Sequence, residues 1–279
     1  MAGSSEGEVP QAVLDPRRAD ALLVRGRLAP SADLAEFVDY YWMVAWNLRE
    51  PYVAAVLGDP CIHLSFETKI GARLTGVVRA CFLHDTRGVG RVFGVKFHAG
   101  GFRPFVDFPM IELTDRRGPP SELIGWSMPA LEQAMDARVD DEQGKRLVEA
   151  FLRPRLPVPD PNVALVRRIV ARIASDGELT RVEALVEELS MTKRALQRLL
   201  HDYVGVGAKW IIRRYRLREA AVQLDEAAQT QQSRASAGAS LAALAARLGY
   251  FDQAHFGKDF KAMVGKTPQQ YLQLLREFG

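Results

Sequence analysis

The sequence predicts two domains of different class, an α+β domain followed by an all-α domain, and three observations carry that division. The segment FLRPRLPVPDPN, Phe151 to Asn162, holds four prolines, which block both helix and ladder formation. Before it, Cys61 to Glu67 (CIHLSFE) and Arg91 to Phe97 (RVFGVKF) have the apolar, β-branched character of strands between glycine-rich turns. After it, every strong apolar pattern has the period of a helix. A chain of 279 residues also exceeds the roughly 150 residues usual for one domain.

Taken in order, residues 1–20 are expected to be a flexible N-terminus, 21–153 a sensory or regulatory domain, 154–161 a proline-rich linker, and 162–279 the helical domain. The strands suit a half-buried antiparallel sheet. Helical patterns are expected to flank it at Ala32 to Leu48, which holds Tyr40, Tyr41, Trp42 and Trp46, and at Pro129 to Leu152. That aromatic group reads as core, or as the lining of an apolar pocket. In the helical domain Val166, Ile169, Val170 and Ile173 fall on one face of a first helix. The small, polar stretch AAQTQQSRASAGAS, Ala227 to Ser240, lacks an apolar period and is expected to be a flexible connection, with room in it for a helix tail.

Composition narrows the function classes. Hydrophobic residues make up 48% and charged residues 25%, as in ordinary soluble globular proteins. The two cysteines, Cys61 and Cys81, form no CxxC pair, which argues against a disulfide framework or a structural zinc site. No basic flank leads into an apolar run at the start, and no stretch of about 18 apolar residues occurs, so a cytoplasmic chain without membrane partners is expected. The net charge of +3 divides unevenly. From Asp160 onward 18 Lys and Arg face 13 Asp and Glu, a net of +5, against 19 and 21 before it, a net of −2. Residues 193–218 concentrate the excess in Lys193, Arg194, Arg198, Lys209, Arg213, Arg214, Arg216 and Arg218, with Asp202 the one acid among them. Such a cluster attracts polyanions, or forms a solvated helix face.

The helical half repeats itself. Val182, Leu185, Val186 and Leu189 form an apolar stripe that returns 59 positions later as Leu241, Leu244, Ala245 and Leu248. Short turns follow, then the N-cap candidates Thr192 and Asp252. At an offset of 60, Leu196, Leu200, Tyr203, Val204 and Gly205 correspond to Phe256, Phe260, Met263, Val264 and Gly265. Each unit reads as two helices joined by a short turn, the helix-turn-helix, whose second helix can enter a major groove. With those stripes inward, the outward residues are Lys193, Arg194, Gln197, Arg198 and His201 in the first unit. In the second they are Gln253, Ala254, Gly257, Lys258 and Lys261. Arg can bond bidentately to guanine and Gln to adenine. Gly257 inside a helix costs roughly 1 kcal/mol relative to alanine, which a closely approaching surface would explain. Trp210 to Leu224 (WIIRRYRLREAAVQL) reads as a continuous helix holding the two units apart.

These residues resemble the AraC/XylS-type transcriptional regulators over about Asn162 to Leu275. The resemblance rests on LQRLLHDYVGV, RRYRLREAA and LAARLGYFDQAHFGKDFKAMVGKTPQQYL. It implies a seven-helix domain whose two helix-turn-helix motifs read adjacent major grooves of double-stranded DNA. Base-reading positions are then implied at Arg194, Gln197, Arg198, Gln253, Ala254, His255 and Lys258. Phosphate contacts are expected from Lys193, Lys209, Arg213, Arg214, Lys261 and Lys266. Ser190 departs from the pattern where the family often has glycine, and Ala254 offers only a methyl group. The first half is similar, less specifically, to the small cupin-like sensory domain that precedes such modules, through LGDPCIHLSFE, LTGVVRACF, GRVFGVKFHAGGFRPF and ELTDR. That likeness implies control by a small-molecule effector, by homodimerisation, or both, with RNA polymerase a further candidate partner.

A competing chemistry is a metal-dependent cupin-type enzyme fused to a DNA-binding domain, with His63, His84 and His98 joined by Glu67 or Cys61. The HxH pattern followed by a nearby Glu is absent, and no phosphate loop, GxSxG elbow or HExxH occurs. Neither catalytic residues, a metal nor a cofactor is therefore expected.

Overall fold

Two long strands organise the N-terminal half. In the computed structural model, which describes residues 16–229 and 234–277, α1 (Pro16–Leu22) leads into β1 (Leu23–Leu28) and β2 (Val38–Leu57). Then come β3 (His63–Glu67), β4 (Gly71–Thr75), β5 (Cys81–Phe97) and the short β6 (Arg117–Gly118). They form one six-stranded antiparallel sheet in the order β1-β2-β5-β3-β4-β6. The expected tail lies outside the described residues up to residue 15, and from Pro16 it is helical.

The helix expected over Ala32–Leu48 is not formed; from Val38 onward this segment is β2. Its apolar residues serve both faces of the sheet, which hides the strand's two-residue alternation in an almost unbroken apolar run. Tyr41 and Met43 point into one core with Phe93, Val95, Leu64 and Phe66. Trp46, Leu48, Tyr52 and Ala54 point the other way, onto Ala19 of α1 and Val92. Aromatic and β-branched side chains fit such a pleated surface well.

The first face is closed by α2 (Pro120–Ile124), α3 (Pro129–Ala137) and α4 (Asp141–Leu152), through Leu131, Met135, Val148 and Leu152. The single helix expected over Pro129–Leu152 is broken. Arg138 adopts an extended backbone, and the Asp140 side chain accepts from the Gln143 amide at 2.6 Å, starting a new helix.

Seven helices follow: α5 (Pro161–Ser175), α6 (Val182–Glu188), α7 (Lys193–Tyr203), α8 (Ala208–Gln229), α9 (Arg234–Arg247), α10 (Gln253–Val264) and α11 (Pro268–Glu277). Of the connection expected over Ala227–Ser240, residues 230–233 lie outside the described residues; the rest is helical, since α8 continues to Gln229 and α9 begins at Arg234. Alanine-rich chain has high helix propensity even without an apolar stripe. Two cores result. Val166, Ile169, Leu185, Leu196 and Leu200 surround Ile211 and Ile212 of α8, while Leu241, Leu244, Phe256, Phe260 and Tyr271 surround Leu217, Ala220 and Leu224 further along it. The long helix α8 therefore belongs to both units.

The sheet docks on both. Val77 enters the first helical core and Leu57 the second. Thr114 Oγ1 donates to the Gly205 carbonyl at 2.8 Å, and Arg103 Nε donates to Asp202 Oδ1 at 2.7 Å. Gly205 is required here: its φ is +95°, and a Cβ would come within 2.7 Å of both Thr114 Oγ1 and the Met110 carbonyl oxygen. Arg214 of α8 is 1% exposed. Its Nε donates to the Gly58 carbonyl at 2.5 Å, and its Nη2 donates to the Leu57 carbonyl at 3.2 Å and to Asp59 Oδ1 at 3.1 Å.

Removing one partner of a buried, hydrogen-bonded ion pair typically costs about 3–5 kcal/mol. Arg214→Ala is accordingly expected to lower the urea midpoint by that equivalent. Arg214→Lys, which lacks the planar fork, should recover only part of it. A midpoint unchanged in both variants would remove Arg214 from the contacts that hold the halves together.

Candidate nucleic-acid interface

Each second helix of a repeat starts on a side-chain cap. Thr192 Oγ1 accepts from the Ala195 amide at 3.1 Å, and Asp252 Oδ1 accepts from the His255 amide at 2.7 Å. In the first turn Ser190 holds the left-handed conformation, φ +52°, that glycine takes more easily. Leu196, Leu200 and Tyr203 bury the inner face of α7; Phe256, Phe260, Met263 and Val264 bury that of α10.

The outer faces are open. Lys193, Arg194, Gln197 and Arg198 are exposed on α7, with His201 half-buried nearer the sheet. On α10 Ala254, His255, Lys258 and Lys261 are exposed, and Gln253 and Gly257 are half-buried. A Cβ on Gly257 would meet nothing within 4 Å, so no packing inside the protein explains this glycine. Asp259 ties α10 to α8: its Oδ1 accepts from Arg213 Nη2 at 2.6 Å, and its Oδ2 lies 3.8 Å from His255 Nε2.

The basic cluster is smaller at the surface than its composition implies. Lys193, Lys209, Lys261 and Lys266 are exposed, Lys193 within 2.7 Å of Glu183. Lys261 and Lys266 border an open groove of about 380 Å³ with Gly265 and Gln270. Two expected phosphate contacts are corrected. Arg214 is buried in the sheet contact, and the half-buried Arg213 is engaged by Asp259. Arg216 is buried too, its guanidinium 4.9 Å from the centre of the Tyr250 ring. Cations on a helix shared by two cores are drawn inward when carboxylates, carbonyls and aromatic faces await them there.

The three histidines considered as a metal set are not brought together. His84 Nε2 lies 3.5 Å from Glu67 and His98 Nδ1 lies 3.8 Å from Asp39, while His63 meets Cys61. Pattern reading missed Asp59, although D-x-C-x-H carries a two-residue spacing suited to one side of an extended chain. Asp59, Cys61 and His63 present donor atoms within 4.8 Å of one another beside Arg214. Trp42 Nε1 donates to His63 Nδ1 at 3.2 Å, so the neutral ring carries its proton on Nε2, 3.3 Å from Cys61 Sγ. Burial lowers His63 to about 4 and pushes the Cys61 thiol up. Burial opposes ionisation of Asp59 as well, yet Lys96 and then Arg214 draw it down to about 2. The cluster therefore presents a carboxylate between two cations, next to a neutral imidazole and thiol.

Comparison with known proteins gives two family matches. Residues 185–274 match a family described as a helix-turn-helix domain, and residues 26–119 match a domain of unknown function. No curated protein sequence matches the chain at a significant level. Similar solved structures include ToxT from Vibrio cholerae O395, at 14% identity and a TM-score of 0.39, covering 84% of this chain and 96% of that one. Another is unsaturated fatty acid bound ToxT from Vibrio cholerae strain SCE256, at 13% identity and a TM-score of 0.39, covering 90% and 94%.

The buried imidazole makes stability depend on pH. In the unfolded chain His63 titrates near 6.5, and in the folded chain near 4, so the unfolded state takes up the proton first. Its contribution is complete above about pH 6.5 and is lost as pH falls toward 4, by at most about 3 kcal/mol. Denaturant midpoints measured at pH 7 and pH 5 are expected to separate less in His63→Gln than in the wild type; equal separation would contradict this assignment.

Proposed function

We propose that the chain is an AraC-type transcriptional regulator that binds a specific double-stranded DNA site through the helix-turn-helix domain matched at residues 185–274. Recognition helices α7 and α10 enter adjacent major grooves. The observation that carries this reading is the division of each helix into a buried apolar face and an exposed face bearing cations and amides. Arg194 and Arg198 are suited to guanine edges, Gln197 and Gln253 to adenine, and Ala254 to a thymine methyl. His255 and Lys258 complete the base-reading set. Lys193, Lys209, Lys261 and Lys266 contact phosphates, which position the protein without reading sequence.

Control resides in the N-terminal domain, where a small-molecule effector or a second copy of the chain acts by population shift. The contacts through Arg214, Thr114 and Arg103 join the sheet to α7, α8 and the turn between them, so a change in the sheet reaches the recognition units directly. RNA polymerase is the partner through which a bound regulator would act on transcription.

A second reading, a metal-dependent cupin-type enzyme carrying a DNA-binding domain, has one observation in its favour: the proximity of Asp59, Cys61 and His63. The Trp42 hydrogen bond to His63 and the charges of Lys96 and Arg214 oppose a cation there. Metal analysis of the purified protein separates the readings, since stoichiometric iron, zinc or manganese would favour the enzyme.

Selection from a random duplex pool should return one preferred site, and its absence would refute sequence-specific binding. On that site Arg198→Ala is expected to lose about 1–3 kcal/mol and relax discrimination at one base pair. Lys261→Ala should weaken all sequences alike and reduce the salt slope by about one unit. Gly257→Ala should stabilise the helix by up to about 1 kcal/mol while weakening DNA binding, because a methyl group then stands against the groove wall. Unchanged affinity in that variant would remove the close approach.

A further inference from the structure

The turn before α10 displays a side chain that the fold does not use. Phe251 is 95% exposed, more than any other large hydrophobic residue among those described. The backbone on either side is anchored. Gly249 takes φ +67°, and a Cβ there would come within 3.0 Å of the Thr180 and Arg216 side chains. Tyr250 is buried, with its ring edge-on to His255 and Phe256 at centroid distances of 5.3 and 5.4 Å. On the other side Asp252 is committed to capping the helix. An aromatic ring held in water by a rigid turn is not a frayed loop residue. It stands at the end of α10 that carries the exposed Ala254 and His255.

We propose that Phe251 is a specificity-determining contact that packs its ring against a thymine methyl at the edge of the half-site read by α10. Recognition helices meet base edges with their N-terminal residues, and an aromatic side chain there makes apolar contact with the 5-methyl group of thymine. The exposed His255, Lys258 and Lys261 on the adjoining helix α10 favour a polyanion as the occupant over an apolar protein surface. The inference rests on the DNA-binding reading of α10 and deepens it.

The test uses the full chain and the duplex selected by the wild type. Each thymine in the α10 half-site is replaced singly by deoxyuridine, which removes only the methyl group, and affinities are measured for wild type, Phe251→Ala and Phe251→Leu. One such replacement is expected to weaken the wild type about fourfold, the scale of one buried methyl group. Phe251→Ala should weaken binding to the parent duplex at least as much and show no further loss on the deoxyuridine duplex. Phe251→Leu should keep part of the thymine preference. Undiminished affinity in Phe251→Ala, or losses that simply multiply, would overturn the contact while leaving DNA recognition by α10 intact. If the wild type selects no sequence at all, the DNA-binding reading itself fails, and the contact with it.

Discussion

The buried fork of Arg214 is the contact on which the arrangement of the two halves depends. A guanidinium that has left water needs partners for its charge and its donors; here the Leu57 and Gly58 carbonyls and the Asp59 carboxylate meet Nε and Nη2, while Nη1 is buried without a partner among the described residues. Lys96, whose Nζ lies 3.5 Å from Asp59 and 3.2 Å from Asp39, extends the network back into the sheet. Because α8 belongs to both helical cores, the same guanidinium locates the sheet against the whole helical half. Val77 and Leu57 add apolar contact on either side of it. Few positions for the sheet would satisfy all these groups together.

This constraint separates the basic residues into two populations. Arg214 and Arg216 are used inside, against oxygens and the Tyr250 ring, and Arg213 is held by Asp259. The residues on the outer faces of α7 and α10 have no such burial, and Arg194, Arg198 and Lys258 project into solvent. Arg213, Arg214 and Arg216 of α8 therefore shape the protein, while Lys209 at its start and the cations on the outer faces of α7 and α10 are open to solvent. The pairing of Asp259 with Arg213 also fixes α10 against α8.

Much of the helical half was legible because its signals are local. The repeated stripes and the caps at Thr192 and Asp252 depend on residues a few positions apart, and the structure places each as expected. Reading failed where neighbours distant in sequence decide. The run from Val38 to Leu48 resembles a helix because both faces of β2 are covered, by α1 on one side and by the α3 and α4 layer on the other. Asp59, between the glycine and proline of a short turn, gave no sign that Arg214, 155 residues away, would meet it.

The amino-acid sequence by itself determined the duplicated two-helix unit and most of the residues on its outer faces. Both follow from helical periodicity and capping chemistry within one turn or one short segment. Only the tertiary structure decided which cations reach solvent, where the sheet docks and that Phe251 is exposed on an anchored turn. Burial and ion pairing are set by groups that the chain brings together across its whole length, and no local pattern encodes them.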